Sequence, residues 1–83
     1  MKIKLTKEET DKIFSDLGLD ETKYDKQQFY LGVNVELEHG TVNPQTNVTN
    51  DDPIVTGKIA AAHLNEDPKY YDHLLKMEAE NES

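Results

Sequence analysis

Residues 54–75 read IVTGKIAAAHLNEDPKYYDHLL, and this stretch decides the fold because one helix ends and another begins inside it. Asp52-Pro53 and Asp67-Pro68 each place an acidic residue before a proline. An Asp side chain accepts hydrogen bonds from the free N–H groups of a first helical turn, where proline needs no N–H. We therefore expect helices near residues 53–66 and 68–80, joined by a sharp corner.

The segment before this stretch predicts two more helices. Thr6 with Glu9 has the spacing of a capping box, which predicts a helix near residues 7–17 that ends at Gly18. Asp25 with Gln28 repeats that spacing, and it predicts a second helix near residues 26–39 that ends at Gly40.

The apolar pattern of the second helix indicates how it packs. Phe29, Val33 and Leu37 are four residues apart and fall within one arc of a helix, while Leu31 and Val35 lie on another side. We therefore expect this helix to be covered from two directions. The alternative is a strand over residues 33–37, because VNVEL has a strand-like composition.

The remaining segments complete an all-α prediction. Residues 41–52 are rich in Asn, Thr and Asp, which predicts a long ordered loop. The third helix is apolar on nearly all sides, as expected of a central helix, and the fourth has a stripe of Tyr70, Leu74 and Met77, supported by Tyr71 and Leu75. We expect one helical domain over residues 1–83, built as a compact array of four short helices.

Composition excludes several classes of protein. The chain has 9 basic and 17 acidic residues and a formal net charge of −8, which argues against direct binding to nucleic acid or to an acidic membrane surface. It has no cysteine, so disulfides and thiolate metal sites are excluded. No apolar run is long enough to span a bilayer, and the expected location is the cytoplasm of a bacterial cell or an infected host.

One pair of motifs carries potential chemistry. The second helix contains Glu36-x-x-His39, and the third contains the reversed spacing His63-x-x-Glu66. Residues three apart share a helix face, so two adjacent helices would turn both pairs toward each other. Glu-x-x-His pairs on facing helices hold the metal ions of carboxylate-bridged bundles.

Three interpretations of this motif pair stay open. We favour a hydrogen-bonded network in which the four residues contact one another or Tyr70 and Tyr71. The second is a site for a divalent metal such as zinc, manganese or iron, formed by Glu36, His39, His63 and Glu66. The third, catalytic acid and base chemistry, lacks an identifiable nucleophile or oxyanion pocket, so we predict that the protein is not an enzyme.

The sequence also resembles a known family. The pattern VELEHGT, then TNVTNDDP, then GKIAAAHLNEDPKYY resembles that of small bacterial and phage proteins of about this length, classed as a domain of unknown function. The resemblance covers nearly the whole chain and includes, among others, Glu36, His39, the Asp52-Pro53 pair and His63. It implies membership of a family but transfers no activity, cofactor or partner.

These observations predict a small acidic interaction or accessory protein without catalytic activity, with a phage as one candidate source. The expected partner is a protein, and the net charge favours a basic one. Two alternatives remain open. One is a metal-binding helical protein, and the other is an acidic inhibitor that mimics the charge of nucleic acid.

Overall fold

The computed structural model describes residues 3–42 and 52–82, with the backbone alone for residues 39–42 and 80–82. It contains four helices, α1 (Lys7–Asp16), α2 (Lys26–Val42), α3 (Pro53–Glu66) and α4 (Tyr70–Glu82), and no strand within these residues. The predicted all-α fold of four short helices is therefore confirmed. The predicted loop falls mostly on residues 43–51, which lie outside the described residues.

The helices α2 and α3 form the centre of the molecule. Each of them contacts every other helix, whereas no described Cα atom of α1 lies within 8 Å of one in α4. The hydrophobic core draws on all four helices and consists of Ile13, Phe14, Phe29, Val33, Val35, Leu37, Ala60, Ala61, Leu64 and Tyr71. Two helices thus form a central pair, with α1 and α4 packed at separate places along it.

Local sequence explains both ends of α1. The Thr6 hydroxyl accepts a hydrogen bond from Glu9 N, and the Glu9 carboxylate accepts one from Thr6 N, so the predicted capping box is present. Gly18 has φ 67°, a left-handed conformation that glycine adopts without steric cost. The helix itself ends at Asp16, one residue before the predicted end.

The start of α2 differs from the predicted capping box. Asp25 Oδ1 accepts hydrogen bonds from Gln27 N and Gln28 N at 2.7 and 3.1 Å, as a cap should. The reciprocal half is not made, because the buried Oε1 of Gln28 has no hydrogen-bond partner within the described residues. One side chain therefore caps this helix.

The prediction that α2 ends at Gly40 is wrong, since the helix runs to Val42. Glycine costs a helix interior about 1 kcal/mol relative to alanine, but it ends a helix only where the backbone turns into the left-handed conformation. At Gly40 the backbone stays helical. A glycine alone was therefore an insufficient stop signal.

The packing pattern of α2 is as predicted. Phe29, Val33 and Leu37 are buried with exposed fractions of 1%, 0% and 6%, and Val35 is buried on the other side at 2%. Residues 33–37 are helical, so the strand alternative is wrong. Coverage from both sides explains why this helix is apolar in more than one direction.

The structure corrects two details of α3 and α4. Ile54 and Val55, in the first turn of α3, are exposed, so this helix is not buried on all sides. The fourth helix begins at Tyr70 rather than Pro68, because Asp67-Pro68-Lys69 form a turn in which Tyr70 N donates to Asp67 O at 2.9 Å. The Asp-Pro pair thus marks the corner rather than the first helical residue.

The predicted stripe of α4 is centred on the wrong residue. Tyr71 is completely buried, Tyr70 and Leu74 are half-buried, and Met77 is 53% exposed. The stripe of Tyr70, Leu74 and Met77 therefore lies to one side of the face that packs on α2. Hydrophobicity did not separate the two adjacent tyrosines, because each side chain is compatible with burial or exposure.

None of the described helices combines the length and apolar character that crossing a membrane requires.

Candidate functional site

Three helices bring four polar and aromatic side chains together, and we call them the Glu36 cluster. It consists of Glu36 on α2, His63 in the last turn of α3, and Tyr70 and Tyr71 in the first turn of α4. The cluster lies where the corner between α3 and α4 packs on α2.

Tyr71 and Glu36 form the hydrogen bond at the centre of this cluster. The Tyr71 hydroxyl donates to Glu36 Oε1 at 3.0 Å. Burial raises the pKa of Tyr71 well above its usual range, and the nearby Glu36 carboxylate raises it further. Tyr71 therefore keeps its proton over the physiological pH range and acts as the donor.

His63 contacts the same carboxylate oxygen less closely. Its Nε2 atom lies 3.6 Å from Glu36 Oε1, which is too long for a hydrogen bond but within the range of an ion pair when the imidazole is protonated. The imidazole also stacks on the Tyr70 ring, with 4.4 Å between centroids and 6° between planes. The Tyr71 ring stands perpendicular to it, at 86°. Aromatic contacts therefore fix the orientation of His63.

Asp67 sets the geometry of the corner that presents these side chains. Its N–H donates to His63 O at 2.9 Å, and its Oδ1 accepts from Lys69 N at 3.0 Å. The other oxygen, Oδ2, lies 2.9 Å from His73 Nδ1. These contacts lower the pKa of Asp67, with the Lys69 N–H as the largest cause and the His73 hydrogen bond next. A charged Asp67 thus closes the turn that places Tyr70 beside His63.

The structure brings together two of the four residues predicted to form a metal site. Glu36 and His63 are in contact, as described above. Glu66 is exposed on α3. The backbone of His39 belongs to α2, but its side chain lies outside the described residues, so the complete site stays a prediction.

The chemistry available at the described site is that of a carboxylate beside an imidazole. The side chains of Glu36 and His63 are 16% and 34% exposed, so solvent reaches the edge of the cluster. Within the described residues, no group of three or more His, Cys, Asp or Glu side chains is placed to hold a metal ion. The pair alone supplies two ligands, whereas metal sites in proteins usually use three or more.

The network interpretation named Tyr70 and Tyr71 as partners of the motif residues, and both contact them. The sequence did not reveal that Gly32 contributes to this arrangement. A Cβ atom at Gly32 would overlap the Tyr71 ring, so only glycine leaves room for it. This close approach of α4 to α2 is what carries the Tyr71 hydroxyl to Glu36. A glycine within the helical pattern FYLGVNVEL was the available signal for it.

Asn34 is another residue whose role the sequence did not predict, and it is polar. It is completely buried on α2, and its side-chain amide bonds the backbone of Lys4 and Leu5. The signal for it was weak, since Asn34 is one of two polar residues in the run of residues 29–37. The pattern indicated that the helix is covered, but it did not identify the covering segment.

Comparison with known proteins gives one match. A family model described as "Protein of unknown function (DUF5661)" matches residues 4–80. No curated protein and no solved structure matches the chain significantly.

Proposed function

Because the chain belongs to the DUF5661 family, whose function is unknown, we propose a function from its surface and internal contacts. The protein is a small acidic accessory protein that binds a protein partner and has no catalytic activity of its own. The partner presents a basic surface.

The distribution of acidic residues carries this proposal. No Asp or Glu with a described side chain is buried, and the excess of acid therefore faces solvent. The exposed ones are Glu8, Glu9, Asp16, Asp20, Glu21, Asp25, Asp52, Glu66, Asp72 and Glu78. Surface charge of one sign accelerates association with an oppositely charged partner and makes that association sensitive to salt.

The Glu36 cluster supports the non-catalytic part of the proposal. Tyr71 donates to the Glu36 carboxylate, and both tyrosine rings contact the His63 imidazole. A general acid or base needs a reacting group within hydrogen-bond reach of the proton that it transfers. The polar groups of this cluster instead contact one another, as the members of a structural hydrogen-bond network do.

A capture experiment with charge variants tests the proposed function. The tagged protein is incubated with lysate of its source cells at low and at high salt, and bound proteins are identified by mass spectrometry. We expect a basic protein to be captured at low salt and lost at high salt. The triple variant Glu8→Gln/Glu66→Gln/Asp72→Asn should capture less of it, because all three side chains are exposed acids.

The matched control is Lys58→Gln/Lys69→Gln, which removes two exposed positive charges and makes the surface more acidic. It should capture the same protein at least as well. Equal capture by all three proteins, or capture unaffected by salt, would contradict a charge-driven interaction. Displacement of the captured protein by DNA would identify the partner's DNA-binding surface as the bound region.

The contact between Glu36 and His63 favours a second candidate, a divalent metal site. A carboxylate oxygen and an imidazole nitrogen 3.6 Å apart can become ligands of one ion after a small side-chain movement. His39, one helical turn after Glu36, is the third ligand of this candidate site, whereas Glu66 is exposed and would have to move to join them. Zinc, manganese and iron accept such a set of nitrogen and oxygen ligands.

A further inference from the structure

The side chain of Asn34 holds the segment that precedes α1. Its Oδ1 accepts hydrogen bonds from Lys4 N at 2.7 Å and from Leu5 N at 2.8 Å. Its Nδ2 donates to Leu5 O at 3.1 Å and to Tyr30 O, one turn earlier in α2, at 3.0 Å. The amide therefore bonds both the N–H and the C=O of Leu5. Because its oxygen also accepts from the preceding N–H of Lys4, the segment is not strand-like, and it bends at Leu5.

This contact recognises backbone rather than side chains. Every hydrogen bond that Asn34 makes to residues 4–5 ends on a main-chain atom, so it does not depend on which amino acids are bound. The side-chain preference comes from Leu5, which is half-buried and packs against the core. Ile3, two residues earlier, is 45% exposed. The site thus holds a segment that bends at one apolar residue.

The net charge of the whole molecule favours a basic segment as the bound peptide. Residues 1–5 contain two lysines and no acid, whereas the rest of the chain contains seven lysines and seventeen acidic residues. A basic peptide is therefore attracted to the remainder of the molecule.

We propose that Asn34 is the centre of a binding site for a short peptide that bends at an apolar residue, and that the chain's own residues 4–5 occupy this site. When that segment is released, the site accepts a separate peptide with a basic residue followed by an apolar one. The site lies apart from the Glu36 cluster and does not depend on the acidic-surface function proposed above.

The experiment uses the full chain with the substitutions Lys4→Pro and Leu5→Pro, which remove both N–H groups that donate to Asn34 Oδ1. The probe is an acetylated and amidated peptide with the sequence of residues 1–6. The readout is the side-chain amide resonances of Asn34 in nitrogen-proton correlation spectra. We expect the double substitution to shift these resonances and the added peptide to move them back toward their wild-type positions.

The control is the same peptide with an N-methylated leucine, in which the Leu5 nitrogen cannot donate to Asn34 while the Lys4 N–H still can. We expect it to bind at least about tenfold more weakly, since it loses one hydrogen bond and places a methyl group against a buried amide. Because this control changes only the peptide, its result does not depend on the stability of a further protein variant.

Three results would overturn the proposal. The Asn34 resonances would be unaltered by the double substitution, or the peptide would not bind at millimolar concentration, or both peptides would bind equally. Resonances of α4, which has no described Cα atom within 8 Å of α1, should keep their dispersion throughout and so show that the substituted protein stays folded.

Discussion

The ring of Tyr71 lies against the backbone of α2 at Gly32. A Cβ atom at Gly32 would overlap Tyr71 Cε2 and lie 2.8 Å from Cδ2 and Cζ, closer than real Cβ contacts. Tyr71 is completely buried, so its ring has no room to move away. The absence of a side chain at Gly32 is therefore what allows α4 to pack here and the Tyr71 hydroxyl to reach Glu36.

Gly32→Ala should destabilise the protein. Alanine favours a helix by about 1 kcal/mol over glycine, but inserting a methyl group into a packed core costs about 1–3 kcal/mol, and the Tyr71 ring fills this space. We expect a net loss in the free energy of unfolding, measured by urea denaturation. Ser15→Ala, at an exposed position of α1, is the control and should change it by less than about 0.5 kcal/mol. A higher melting temperature for Gly32→Ala would show that the ring gives way.

Tyr71 should make the protein less stable in alkali. Its pKa is raised in the folded state, mainly by burial, so the folded protein holds the proton after unfolded tyrosine loses it above about pH 10. Below that pH, Tyr71 is protonated in both states, and its contribution to the free energy of unfolding is fully present. Above it, the free energy of unfolding should fall by up to about 1.4 kcal/mol per pH unit from this group. Urea denaturation at several alkaline pH values measures the slope.

Tyr71→Phe is the comparison for that slope. It should lower stability at neutral pH by about 1–3 kcal/mol, because Glu36 loses its buried donor. Its stability should then fall less steeply in alkali than that of the wild type. Parallel curves for the two proteins would mean that Tyr71 ionises normally in the folded state.

His63 should stabilise the corner mainly through its ring. His63→Ala removes the stack on Tyr70, and we expect a loss of about 1 kcal/mol in the free energy of unfolding. His63→Phe keeps an aromatic ring but removes the contact with Glu36, and it should recover most of that loss. Glu66→Gln, an exposed position on the same helix, is the control. Equal destabilisation by both His63 variants would assign the effect to the Glu36 contact instead.

The metal hypothesis predicts stabilisation by a divalent ion. A ligand that binds only the folded state stabilises it by about 2.7 kcal/mol at 100 times its dissociation constant. Protein stripped with a chelator should therefore melt at a higher temperature after addition of zinc or manganese, and the effect should disappear in His39→Ala and in His63→Ala. Elemental analysis of purified protein is the second measurement. Protein without metal and a melt unchanged by either ion would exclude the site.

Local signals in the sequence predicted the four helices and most of their ends well. The Thr6 capping box, Gly18 and Asp52 act through neighbouring backbone groups, so a short stretch of sequence is enough to identify them. The arc of Phe29, Val33 and Leu37 was likewise visible as a four-residue spacing. The helix boundaries predicted from Gly40 and Pro68 were wrong, because each of these residues permits a helix boundary without requiring one.

Contacts between distant residues were harder to predict. Spacing shows which face of a helix is buried, but it does not show which neighbour covers it. Tyr71 with Gly32 and Asn34 with Leu5 are pairings of this kind, separated by many residues. Glu36 and His63 were linked by matching motifs, which is why this contact was anticipated while those two were not.

The separation of α1 from α4 has a consequence for how the molecule opens. Since no described Cα atoms of these helices come within 8 Å, neither loses close backbone packing when the other detaches from the central pair. Each outer helix can therefore unfold locally, below the free energy of global unfolding. Native-state hydrogen exchange should resolve two cooperative units, one reporting the surroundings of Phe14 and the other those of Tyr71.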